Sequence, residues 1–236
     1  MKTRKRVTAL LLCMGMFVLT FTQIPAFAAT ETPYQNWKQY DAQWANVTMQ
    51  SNTIKSKGCL ATAVAMLVVR SGLKTENNFD PGTFVKQMNQ IGGFASNNNL
   101  LWEKVTELIP QFALVSERVN LTGTQAQKIK SIKSYYDQGY YVLIAVKNER
   151  HWVALDQVSG TAVAIFDPGS TATELFEKYP ASGCTRLALF SAPHPANRSA
   201  LQSSESKSTD PIDILGGTFK ILFEILLIMF QSLLTL

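Results

Sequence analysis

The chain has 236 residues, 46% hydrophobic and 17% charged, with 22 basic and 17 acidic side chains and a formal net charge of +5. Lys2, Arg4, Lys5 and Arg6 precede an apolar run over residues 7–19, and Ala26, Phe27 and Ala28 form a small-x-small cleavage site, which is the pattern of a secretory signal peptide over residues 1–28. Removal of that segment leaves 18 basic and 17 acidic residues, so the apparent basicity belongs to export and argues against nucleic-acid binding.

Cys13 leaves with the signal, and Cys59 and Cys184 remain. In an exported chain an even pair reads first as a disulfide. A region of roughly 160 residues has a full-sized core without such a staple, so the pairing stays open.

Residues 34–58 read as extended segments and loops anchored by Trp37, Tyr40 and Trp44. From Cys59 to Arg70 the chain is apolar on nearly every side and stops at Ser71-Gly72, which predicts a central, buried helix. Asp80-Pro81 opens a second helix that runs to about Gln90 and closes at Gly92-Gly93. "NNNLLWEKVTELI" predicts a third, with Leu100, Leu101, Val105 and Leu108 on one face, and residues 124–138 a polar fourth.

The period then changes to two. "YYVLIAV" (140–146), "HWVALDQ" (151–157) and "TAVAIFD" (161–167) read as antiparallel strands, so helices followed by strands indicate an α+β domain. Taking Val158-Ser159-Gly160 as a three-residue hairpin loop sets Leu155 opposite Val163, Val153 opposite Ile165 and His151 opposite Asp167. A two-residue loop would shift the register by one and turn Asp167 to the other face.

Beyond the domain, residues 192–211 ("APHPANRSALQSSESKSTDP") read as a flexible linker. Residues 212–236 are mostly apolar, but Asp213, Gly217, Lys220, Glu224 and Gln231 align as a narrow polar stripe on a helix. Three readings stand: a helix lying in a membrane interface, a self-associating helix, or a span, with membrane association favoured.

An imidazole and a carboxylate side by side, with a thiol at a helix N-terminus, are the parts of a nucleophilic site. The helix end favours the thiolate, Lys55 and Lys57 add positive potential, His151 accepts the proton and Asp167 holds the ring. Gly58 would let a substrate backbone approach.

"WKQYDAQWANVTMQSNTIKSKGCLATAVAML", "DPGTFVKQMNQIGGF", "HWVALDQVSG" and "FDPGS", in this order and spacing, resemble the papain-like cysteine peptidases related to the double-glycine-leader (bacteriocin-processing) peptidases. The likeness covers about residues 34–190 and implies a papain-like α+β fold over residues 29–191. It implies Cys59 as nucleophile, His151 as base and then acid, Asp167 as the orienting residue, and a glutamine as oxyanion donor, Gln39 with Gln43 as the fallback. Gly58 and Trp152 are the expected substrate-binding residues, and no metal or cofactor is implied. The expected activity is that of an exported, surface-associated bacterial cysteine peptidase or amidase acting on peptide or protein substrates. The competing expectations are a non-catalytic surface binding module with a Cys59–Cys184 disulfide and a carrier of a membrane-active tail.

Overall fold

The computed structural model describes residues 33–197. The expected signal peptide, most of the expected linker and the C-terminal stretch 212–236 lie outside the described residues. Among the described residues no helix is long and apolar enough to cross a membrane.

A 3-10 turn (Tyr34–Asn36) leads to a small hairpin of β1 (Thr48–Met49) and β2 (Asn52–Thr53), then to a one-turn helix α1 (Ile54–Lys57). Helix α2 (Cys59–Arg70) follows at once. Ala63 through Val68 are fully buried, as an all-round apolar helix requires. It ends where Gly72 takes φ +77°, a conformation that costs glycine little. Helix α3 (Pro81–Gln90) is capped by Asp80, whose Oδ1 accepts from Thr83 N at 2.6 Å.

Helix α4 (Trp102–Leu108) is shorter than expected. Leu100 instead pairs with Phe94 across a loop, and Asn98 in that loop, at φ +67°, accepts from Ser51 N and Asn52 N. Those bonds tie the asparagine run to the β1–β2 turn and keep it out of the helix. Helix α5 (Gln125–Asp137) matches its expected span, with Thr124 as cap.

The strands are β3 (Ala113–Asn120), β4 (Tyr141–Val146), β5 (His151–Ser159), β6 (Ala162–Phe166) and β7 (Arg186–Ser191), in one antiparallel sheet of order β3-β7-β4-β5-β6. Strands β3 and β7, and the short helix α6 (Leu175–Lys178), have no counterpart in the sequence reading. One sheet face, with Leu143, Trp152, Ala154 and Phe190, packs with α2 and α3 into the larger core. The other, with Val142, Val153, Leu155 and Ile165, is covered by Ile129, Ile132 and Tyr136 of α5. Truncating one such fully buried aliphatic side chain to Ala costs about 2–5 kcal/mol, so both layers are needed.

Two local expectations are corrected. Trp37 and Trp44 are buried anchors, but Tyr40 is 46% exposed. Residues 192–197, expected in the linker, pack on the domain: Ala196 N donates to Gly139 O at 2.8 Å, and Tyr141 OH donates to the His194 carbonyl at 2.9 Å.

The β5–β6 register is also corrected. The loop is two residues, Gly160-Thr161, with Ser159 opposite Ala162, Val158 opposite Val163 and Gln157 opposite Ala164. An irregularity at Asp156 follows, after which Leu155 faces Ile165 and Ala154 faces Phe166. The inserted residue restores the phase that a two-residue loop would have lost. Continuing the ladder by one pair sets Asp167 level with Val153, on the His151 side and diagonal to His151. Asp156 is held there by Arg70 at the end of α2, through Nη1 to its carboxylate at 2.5 Å and Nη2 to its carbonyl at 2.6 Å.

Candidate active site

Cys59 is the first residue of α2, and His151 is the first residue of β5. The helix N-terminus and the sheet end therefore meet. His151 Nε2 lies 2.7 Å from Asp167 Oδ1, which leaves Nδ1 available to the neighbouring Cys59 thiol, and the thiol and the imidazole shift each other's titration. His151 and Asp167 are buried, while Cys59 is half-buried and opens into a cleft of about 730 Å³.

The electrostatics favour a thiolate–imidazolium pair. Burial pushes the Cys59 thiol up, but the hydrogen bond and charge of His151, with the backbone N–H groups of Trp152 and Leu60, hold it below its ordinary range. Burial would lower His151, yet Asp167 and the thiol raise it to about 9. Burial likewise opposes ionisation of Asp167, and the donors around it win, holding it well below the usual carboxylate range.

Those donors form a clamp. Besides His151, Asp167 Oδ1 accepts from Gly169 N at 2.8 Å. Its Oδ2 accepts from Ser170 Oγ and from Tyr179 OH, both at 2.5 Å. Burial and the adjacent carboxylate raise Tyr179, so it stays protonated and donates. Lys38 Nζ donates to the Asp167 carbonyl at 2.9 Å, and Gln39 N donates to Pro168 O at 2.9 Å. Gly169 and Ser170 were legible in "FDPGS", because an aspartate that accepts from the next residues is an ordinary turn device. Tyr179 and Lys38 carry no local signal; only the tertiary fold brings them there.

Gln39 lies at the turn leading into the site. Its side-chain amide donates to Lys55 O at 2.8 Å, four residues before Cys59, and this uses one of its two N–H groups. Gln43 is exposed. Trp152 lines the cleft, with its ring 5.4 Å from that of Trp102. Gly58 has a structural role at the start of α2. A Cβ there would sit 2.5 Å from the Ile54 carbonyl oxygen, so glycine is needed for the tight α1–α2 junction within the chain itself.

The disulfide expectation is overturned: Cys59 and Cys184 are both free. They belong to the cores on opposite faces of the sheet. Cys184 is fully buried, with its thiol pushed up to about 11 by burial, and Lys128 Nζ donates to its carbonyl at 2.6 Å.

The fold and site thus define an α+β domain with an antiparallel five-stranded sheet and, at its end, a hydrogen-bonded imidazole and carboxylate beside a thiol at a helix start. No protein family, no curated protein and no solved structure matches the chain.

Proposed function

We propose that this protein is a cysteine peptidase or amidase of papain-like type, with Cys59 as nucleophile, His151 as acid–base and Asp167 as the residue that orients His151. The observation that supports it most is the meeting of Cys59 at the start of α2 with the bonded pair His151–Asp167, where the thiol is held below and the imidazole above its ordinary value. A buried structural cysteine would show the opposite shift, as Cys184 does.

In the reaction the Cys59 thiolate attacks the substrate carbonyl carbon and a tetrahedral oxyanion forms. The leading N–H groups of α2 have no acceptors within the helix and can donate to it, together with the second N–H of Gln39. The His151 imidazolium gives its proton to the departing amine and the C–N bond breaks, leaving a thioester. Neutral His151 then takes a proton from water, whose oxygen displaces the thiolate and releases the acid. The thiol and imidazole carry both half-reactions. In this reading the protein is exported from a bacterial cell and works on peptides or proteins at a membrane surface, with residues 212–236 as the attachment.

The test is hydrolysis of a quenched fluorescent protein substrate, with alkylation by iodoacetamide, in the wild type and in Cys59→Ala. The substitution should remove both. Rates should rise with pH through the lowered thiol value and fall again near pH 9 as His151 loses its proton, giving a bell-shaped profile. Hydrolysis that survives in Cys59→Ala would overturn the proposal.

A further inference from the structure

The cleft beside Cys59 has two chemical characters. Its apolar part is formed by Met49, Phe94, Leu100, Trp102 and Trp152. Its charged residues are Lys57, Arg150 and Arg186 against a single carboxylate, Glu149. The chain without its first 28 residues is almost neutral, so this excess of positive charge is local to the cleft.

Arg186 is fixed in place. Its guanidinium carbon lies 4.8 Å from the centroid of the Trp152 ring, its side chain is 14% exposed, and its Nη2 is 3.3 Å from Glu149 Oε2. Its Nε has no hydrogen-bond partner among the described residues. Glu149 does not neutralise this side of the cleft, because it is shared with Arg118 at 3.4 Å. Glu117 is the other carboxylate acting on Arg186. With Lys57, Arg118, Arg150 and Arg186 against Glu117 and Glu149, two positive charges remain unmatched.

The turn that carries Glu149 and Arg150 is itself unusual. Lys147, Asn148 and Glu149 take φ of +53°, +55° and +62°, which non-glycine residues seldom adopt. Asn148 N donates to Gly183 O at 3.0 Å, which ties down the turn whose Glu149 and Arg150 line the cleft. Unfavourable backbone conformations retained in this way concentrate where they position functional groups.

We propose that the cleft selects acidic peptides, with Asp or Glu within a few residues of the bond held at Cys59. This rests on the peptidase reading above. A concave site with low-dielectric walls concentrates the field of its charges, and an Arg that has already lost most of its hydration binds a carboxylate at little further cost. The apolar part would accept the neighbouring aliphatic or aromatic side chains.

The test uses full-length Cys59→Ala and two fluorescein-labelled peptides, each an alanine chain with a central Leu flanked by two Asp or by two Lys. Anisotropy should show the acidic peptide binding about tenfold more tightly, with the difference shrinking at high salt. Arg150→Glu and Lys57→Glu, both at exposed positions, should abolish or reverse the preference without disturbing the fold. The wild type on a mixed peptide library, read by mass spectrometry, should cut beside acidic residues. Equal binding of both peptides, or cleavage indifferent to charge, would overturn the inference. Acidic preference in binding with no cleavage of any peptide would sustain the inference and overturn the peptidase reading instead.

Discussion

Gly169 sits on the loop that closes over His151, and replacing it with Ala perturbs the site through one added methyl group. A Cβ at this position would lie 2.8 Å from His151 Cε1, 3.1 Å from Nε2 and 3.5 Å from Asp167 Oδ1. Carbon atoms in ordinary contact stand about 3.5–4.0 Å apart, so ring and loop must separate by roughly 0.7–1.2 Å. Displacement of about 1 Å in a reacting group costs on the order of 100-fold in rate. The cost in stability is far smaller. Forcing a side chain off its preferred rotamer takes about 0.5–1.5 kcal/mol, and replacing Gly by Ala returns about 0.4–1 kcal/mol through the unfolded state. Gly169 is not among the glycines with positive φ, so Ala meets no backbone penalty. Gly169→Ala should therefore lower kcat/KM by roughly 30- to 100-fold while moving Tm by only a few degrees. Its alkylation by iodoacetamide at pH 6 should also slow, because a displaced imidazolium stabilises the thiolate less. Steady-state kinetics, a pH series of alkylation rates and a thermal melt check all three. A variant with kcat/KM within about twofold of wild type and an unchanged pH profile would refute the claim that this contact sets the ring.

Tyr179→Phe removes one charge-assisted donor from Asp167, worth about 1.5–3 kcal/mol, without changing the shape of the core. Asp167 ionises more readily in the folded than in the unfolded chain, so it contributes stability that is present above the unfolded value and lost as pH falls through the folded one. With Tyr179→Phe the folded value rises toward the unfolded one, so the variant should be less stable near neutral pH and lose less Tm on acidification, its melting curve converging with that of the wild type as pH falls; a pH series of melts between about 2 and 6 reads this against the carboxylate range. The two thiols should titrate as two separate classes. Cys59 should react with iodoacetamide at neutral pH, whereas Cys184, raised to about 11 and buried, should react only after denaturation, and Cys184→Ala should leave activity intact. A count of no free thiols in the unreduced, denatured protein would contradict the two-thiol state.

Local signals accounted for the central helix. Twelve residues that are apolar all round and end at Ser71-Gly72 admit few other structures, and α2 has those bounds. Asp80 before Pro81 likewise marked the start of α3, and Thr124 that of α5. Strands β3 and β7 were missed for a physical reason. In β3 the alternation is broken by two register shifts against β7, and exposed and half-buried residues are interleaved along it. Strand β7 is only six residues long, with its four central positions all buried, so it shows no alternation between faces.

The residue types of the site were determined by sequence alone: a cysteine at a helix start, a histidine opening one strand and an aspartate closing the next. What brought them together was tertiary. A two-residue loop by itself turns Asp167 away from His151, and the phase is recovered only by the extra residue at Asp156. That bulge has its carbonyl and carboxylate bound by Arg70, 86 positions earlier in the chain. Side-chain periodicity in a strand is local, but a bulge is stabilised by whatever partner the fold brings to its unpaired groups. The clamp on Asp167 follows the same rule, because Tyr179 reaches it through packing that no spacing in the sequence encodes.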